Sequence, residues 1–162
     1  MQIRKIDQSE AKIFFDCMKS IDQETKFMMF EPGERQFDED LIVNNLSNEN
    51  DLFLGAFSEH EIVGFLAAKR GSFRRIRHSA YIVIGIRCSF QGQGIGTKLF
   101  DKLDEWARKN QVKRLELTVE TQNTPAINLY EKQGFISEGI KKKTTLVDGE
   151  FVDEYMMAKL YI

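Results

Sequence analysis

The chain has few of the residues that punctuate or staple a fold. Only two prolines, Pro32 and Pro125, occur in 162 residues, and there is no repeat or low-complexity tract. Nothing marks a domain boundary, so one domain over 1–162 is expected. Two cysteines, Cys17 and Cys88, are too few and too isolated for a disulfide framework, and no metal-ligand spacing surrounds them. No metal is expected. Neither sign of charge dominates: 23 basic residues stand against 25 acidic ones, a net charge of -2. A dedicated nucleic-acid binder would carry a basic excess, so no nucleic-acid partner is expected. No apolar run could span a bilayer, and the start, MQIRKIDQSE, lacks the apolar core of a signal peptide. The expectation is a cytoplasmic protein without a membrane partner. What is present, 42% hydrophobic and 30% charged residues, is the composition of a soluble globular protein. A chain of this length buries roughly two-thirds of its unfolded surface, enough for a core without staples.

Periodicity then orders the chain. Gln2 to Ile6 alternates as a short strand, Ser9 has the character of a helix N-cap, and Ile13, Phe14, Cys17 and Met18 share one helical face. A second short helix is expected over Glu39 to Leu46. Asp51 to Phe57 and Glu61 to Arg70 read as a strand hairpin, and His78 to Arg87 as a third, β-branched strand. Ile95, Leu99, Leu103, Trp106 and Ala107 form the stripe of a helix over Gly94 to Asn110. Leu115, Leu117 and Val119 alternate with polar residues in a further strand. Thr124 and Pro125 open a helix that Gly134 closes. Two strands joined at Asp148-Gly149 end the chain. The order β-α-α-β-β-β-α-β-α-β-β predicts an α/β fold with a mixed sheet.

The stretch with the most chemistry is Ile84-Gly85-Ile86-Arg87, followed by Gln91-Gly92-Gln93-Gly94-Ile95-Gly96. A strand ends in a glycine-rich loop that opens directly into an amphipathic helix. The first N–H groups of a helix have no internal acceptor and sit at the positive end of its dipole, so such a loop suits a phosphate. The alternative is that the glycines only make a turn. Gly96 is followed by Thr97 and then Lys98, the wrong order for a P-loop, and three alternating glycines in mid-chain do not match the dinucleotide fingerprint.

Gln91, Gly94 and Gly96 match the Q/R-x-x-G-x-G/A signature, and Asn123, Ala126, Leu129, Tyr130, Glu131, Lys132, Gly134 and Phe135 match a second landmark. With both in this order, the chain resembles the GNAT superfamily of acyl-CoA-dependent N-acetyltransferases from about Ile62 onward. The resemblance implies a mostly antiparallel central sheet flanked by helices, and acetyl-CoA as acetyl donor. It further implies that the backbone of Ile84 and Ile86 pairs with the pantetheine arm and that amides from Gln91 to Thr97 hold the pyrophosphate. Asn123 would bond the pantetheine or acetyl end, Lys132 would approach the adenosine phosphate, and Tyr130 would protonate the leaving thiolate. The branch it looks closest to acetylates protein N-termini, polyamines and small amines, and it admits a homodimer.

A base is needed as well, since an amine of pKa ~10 is mostly protonated at neutral pH. Glu116 and Glu120 lie on the polar side of their strand, facing either an acceptor or solvent, and a water chain could serve in their place. By the same resemblance Thr25 to Arg35 lines the amine site, offering Phe27 and Met28 as walls and Glu31 and Glu34 as attractants for a cation. A Met/Phe cluster is also ordinary core material. Two readings of function follow: an N-acetyltransferase acting by direct attack of a primary amine or peptide N-terminus, and a non-catalytic acyl-CoA-binding sensor.

Overall fold

The computed structural model describes residues 1–162. Its elements are β1 (Gln2–Lys5), α1 (Ala11–Glu24), α2 (Glu39–Ser47), β2 (Leu52–Ser58), β3 (Glu61–Arg70), β4 (Ser79–Ile86), α3 (Ile95–Lys109), β5 (Arg114–Glu120), α4 (Thr124–Lys132), β6 (Ile136–Val147) and β7 (Glu150–Leu160). This is the predicted order, with short 3-10 turns added before α1 and after β4. One seven-stranded sheet runs β1-β2-β3-β4-β5-β7-β6. Only β4 and β5 pair in parallel. No helix is long and apolar enough to cross a membrane.

Two caps differ from expectation. Ser9 does not cap the first helix; Asp7 caps the 3-10 turn Gln8–Glu10 that leads into α1, accepting from Ser9 N at 2.9 Å, while Glu10 accepts from Asp7 N at 2.8 Å. This reciprocal box satisfies two donors at once. At α4 the cap is Asn123 rather than Thr124, and its Oδ1 accepts from Ala126 N at 3.4 Å. Pro125 sits in the first turn, where its missing N–H removes no helical bond.

Helices cover both faces of the sheet, so β3 is buried without a break from Ile62 to Ala68. On one face, α3 and α4 pack over Leu52, Leu66, Ala80, Leu115 and Leu117. On the other, α1 and α2 pack over Phe57, Ile62 and Phe65. Gly85 belongs to that second contact: a Cβ there would lie 2.9 Å from Phe65 Cε1 and 3.1 Å from Ile21 Cδ1. The second cover stops short, leaving Ile136, Met156 and Leu160 of β6 and β7 exposed.

Two irregularities shape the site. β4 and β5 pair only over Ser79–Tyr81 and Arg114–Glu116, so the rest of β4 has a free edge toward β5. β6 slips register between Lys141 and Thr145, with Lys143 at φ 53° and its N–H donating to Asp153 Oδ1 at 2.8 Å. Such a bulge bends its strand.

Candidate active site

The glycine loop presents a row of unused donors. The first backbone bond of α3 runs from Lys98 N to Gly94 O, 3.1 Å, and the N–H groups of Gly92 through Thr97 have no acceptor within the chain. Gln91 differs from expectation, because its backbone N–H donates to Cys88 O at 3.3 Å. Its side chain donates to Ile86 O at 3.1 Å, tying the loop to the end of β4. Gly92 and Gly94 adopt φ of +74° and +80°, and a Cβ on either would point into open space. This is a concave nest of amides at the positive end of a 15-residue helix. Gly96 is buried for a different reason: a Cβ there would meet Leu129 Cδ2 at 2.9 Å, so it lets α4 pack against α3. Ile95 is buried beside it, while Gln93 and Thr97 are exposed.

The free edge of β4 leads away from this nest. Arg87 N donates to Val63 O on β3 at 2.9 Å, so by alternation the backbone groups of Ile84 and Ile86 point to the open side. A linear group bearing amides could add there as a strand. The free amides and this edge together fit a pyrophosphate joined to a pantetheine arm. Lys132 is exposed in the last turn of α4, without an ion-pair partner.

Where β4 and β5 part, a cavity of about 1100 Å³ opens. Ile84, Asn123 and Tyr130 line its donor end, Glu120 and Thr118 its floor, and residues 23–32 and 144–148 its outer walls. Tyr130 is 8% exposed and packs edge-on to Phe100, and its hydroxyl makes no hydrogen bond within the chain. Burial, with Tyr81 nearby, pushes its phenol above the ordinary range, so it remains a proton donor well beyond neutral pH. The Oδ1 of Asn123 is used by its helix cap, which leaves the amide N–H groups for a ligand.

The two glutamates on β5 separate. Glu116 does not line the cavity; it accepts from Arg114 Nε at 2.8 Å, and the same guanidinium donates to both oxygens of Glu138. Glu120 lines the cavity, is 7% exposed, and its carboxylate has neither a hydrogen bond nor an ion pair. Burial, reinforced by Glu154, raises its pKa above the ordinary carboxylate range. Among the acceptor-side residues, Phe27, Met28 and Glu31 line the cavity. Glu34 does not; it accepts from Glu31 N at 3.2 Å, closing its own turn.

Several lining residues make contacts that the sequence does not show. Arg35 donates to Asp22 at 2.7 and 3.1 Å and stacks over Phe30 at 4.4 Å, fixing the segment after α1. Glu24 accepts from Arg87 Nε and Cys88 N, both at 2.7 Å. Its burial favours the neutral acid, but these donors outweigh burial and hold the pKa below the ordinary range. Tyr81 and Thr118 share a 2.8 Å hydrogen bond, and Lys26 pairs with Asp148. Thr145 Oγ1 is buried without a partner. The β6–β7 residues carry no local signal, since only the bulge and the strand pairing bring them here.

This geometry has relatives. A profile of the acetyltransferase (GNAT) family matches residues 15–135. An L-amino acid N-acetyltransferase of Escherichia coli is 36% identical over 111 residues, 66% of this chain and 67% of the relative. An N-alpha-acetyltransferase of Mycobacterium tuberculosis is 30% identical over 115 residues, 70% of this chain and 69% of the relative. The crystal structure of a GNAT-family acetyltransferase from Streptococcus pneumoniae superposes with a TM-score of 0.92, covering 99% of both chains at 28% identity. With the amide nest, the free strand edge and the cavity between β4 and β5, these matches establish that the chain is an acetyltransferase of the GNAT family.

Proposed function

We infer that the enzyme moves an acetyl group from acetyl-CoA directly onto the α-amine of an amino acid or peptide. The observation that carries this reading is the cavity at the β4–β5 parting, where an unbonded Tyr130 hydroxyl and an unpaired Glu120 carboxylate share one space. Acetyl-CoA supplies an acetyl group activated as a thioester, held by the amides of Gly92 to Thr97, the edge at Ile84 and Ile86, Asn123 and Lys132.

The acceptor arrives as an ammonium ion, and Glu120 takes one of its protons, a task suited to a carboxylate with a raised pKa. The freed nitrogen bonds to the carbonyl carbon, and the backbone N–H of Ile86 faces the oxygen as negative charge develops there. The carbon–sulfur bond then breaks and the sulfur takes the proton of Tyr130. The nitrogen releases its surplus proton and Glu120 the one it took, both to solvent, from which Tyr130 recovers its own. Glu116, bound by Arg114, holds the wall of the sheet and takes no part. A non-catalytic acyl-CoA sensor would need the nest and the strand edge but not these two groups.

Amino acids, amino acid amides, peptides and polyamines offered with acetyl-CoA test the reading by release of free thiol. Release that depends on an α-amine is the expected result. Thiol release stimulated by no amine would overturn it.

A further inference from the structure

The charges lining the cavity divide into two sets. Glu24 is held by Arg87, Arg35 by the buried Asp22, and Lys26 by Asp148. The rest are the carboxylates of Glu31, Glu120 and Glu154, the phenols of Tyr81 and Tyr130, and one lysine, Lys141. Glu120 and Glu154 are register partners across β5 and β7, so both side chains leave the same face of the sheet beside each other. Like charges placed directly opposite destabilise a sheet. Lys141 stands opposite Glu154 on β6, but it is exposed and makes no ion pair. Nor does Thr145, with its buried unpartnered hydroxyl, bond to either carboxylate.

A buried carboxylate beside a second one, with no cation between them, is costly. A fold that needed these groups only for stability would have paired them, as it pairs Glu24 and Asp22. The missing charge is one that a ligand can bring. A free amino acid brings it together with its own carboxylate, one carbon away, which would then face Glu120, Glu154 and Glu31. A peptide N-terminus or an amino acid amide brings the cation alone.

On the basis of the acetyl-transfer reading above, we propose that Glu154 is a specificity-determining residue. With Glu120 it holds the protonated amine of the acceptor, and the pair selects acceptors without an α-carboxylate, peptide N-termini over free amino acids. This differs from what the name of the Escherichia coli relative says of that protein.

The test is equilibrium binding to the full chain loaded with CoA, which carries no acetyl group and allows no turnover. L-alaninamide and L-alanine are the probes. L-alaninamide is expected to bind at least about ten-fold tighter than L-alanine, a difference of the size of one charged contact. Glu154→Gln should weaken L-alaninamide by about ten-fold and bring the two probes together, while raising Tm because a repulsion is gone. A merely structural Glu154 would move Tm without moving the ratio of the two affinities. L-alaninamide binding no tighter than L-alanine in the unaltered protein overturns the proposal, and that arm does not depend on the variant's folding. Unchanged L-alaninamide affinity in a folded Glu154→Gln overturns it equally. The two readings fail separately: charge selection can be absent while thiol release persists, and thiol release can be absent while charge selection persists.

Discussion

Replacing Arg35 by methionine removes the one cation that reaches Asp22. That carboxylate is 1% exposed, and Arg35 binds it through Nε at 2.7 Å and a terminal nitrogen at 3.1 Å. Methionine keeps the apolar stem of the side chain but removes the guanidinium, with its stacking over Phe30, and leaves the buried acid uncompensated. Breaking a buried ion pair from one side costs about 3–5 kcal/mol. With a urea m-value of about 2 kcal/mol/M, the unfolding midpoint should fall by about 2 M. The same pair anchors the segment carrying Phe27, Met28 and Glu31, so in urea-free buffer the KM of the acceptor should rise more than that of acetyl-CoA. Pairing Arg35→Met with Asp22→Leu removes the stranded charge as well and should recover most of the lost midpoint. Urea unfolding followed by Trp106 fluorescence and by circular dichroism measures both variants. A midpoint for Arg35→Met within about 0.3 M of the unaltered protein, or a double variant less stable than the single, would refute the reasoning.

Gly94→Val should abolish the rise in Tm caused by acetyl-CoA, because it puts a branched side chain at φ +80° in the mouth of the amide nest. A normal ligand-induced shift would mean the pyrophosphate lies elsewhere. Glu120→Gln should stabilise the protein in a pH-dependent way. The folded state holds this proton to higher pH than the unfolded chain, so charged Glu120 lowers stability as pH rises from about 4 through its raised folded value. The gain in Tm should therefore be absent near pH 3 and full near pH 8; a gain confined to acid pH would contradict the sign. Glu31→Gln should raise the KM of a cationic acceptor, whereas Glu34→Gln, which only closes its own turn, should leave it unchanged.

Features encoded by neighbours in the chain were legible from the residues. The alternation of β5, the stripe of α3 and the glycines from Gln91 to Gly96 each state a local conformation. The separation of Glu116 from Glu120 was not legible, because both occupy the polar side of one strand. What distinguishes them is Arg114 two residues earlier, Glu138 on β6, and the parting of β4 from β5 beyond Glu116. The acceptor wall was half legible: the Phe27–Glu31 segment has a composition that draws attention, while Thr145 and Glu154 reach the cavity only through strand pairing and the bulge at Lys143. Asn123 shows how one residue can serve both levels, its carbonyl capping α4 and its amide N–H groups remaining open to the cavity.

The most direct measurement is single-turnover thiol release by Tyr130→Phe, with acetyl-CoA saturating and chemistry limiting. Phenylalanine keeps the ring against Phe100 and removes a hydroxyl that bonds nothing within the chain, so folding and acetyl-CoA affinity should change little. A departing thiolate without a proton donor should leave about ten- to a thousand-fold more slowly, around the lower range for loss of a general acid. Release at the unaltered rate would contradict the assignment of Tyr130 as the acid and, with it, the account of this cavity as the place of acetyl transfer.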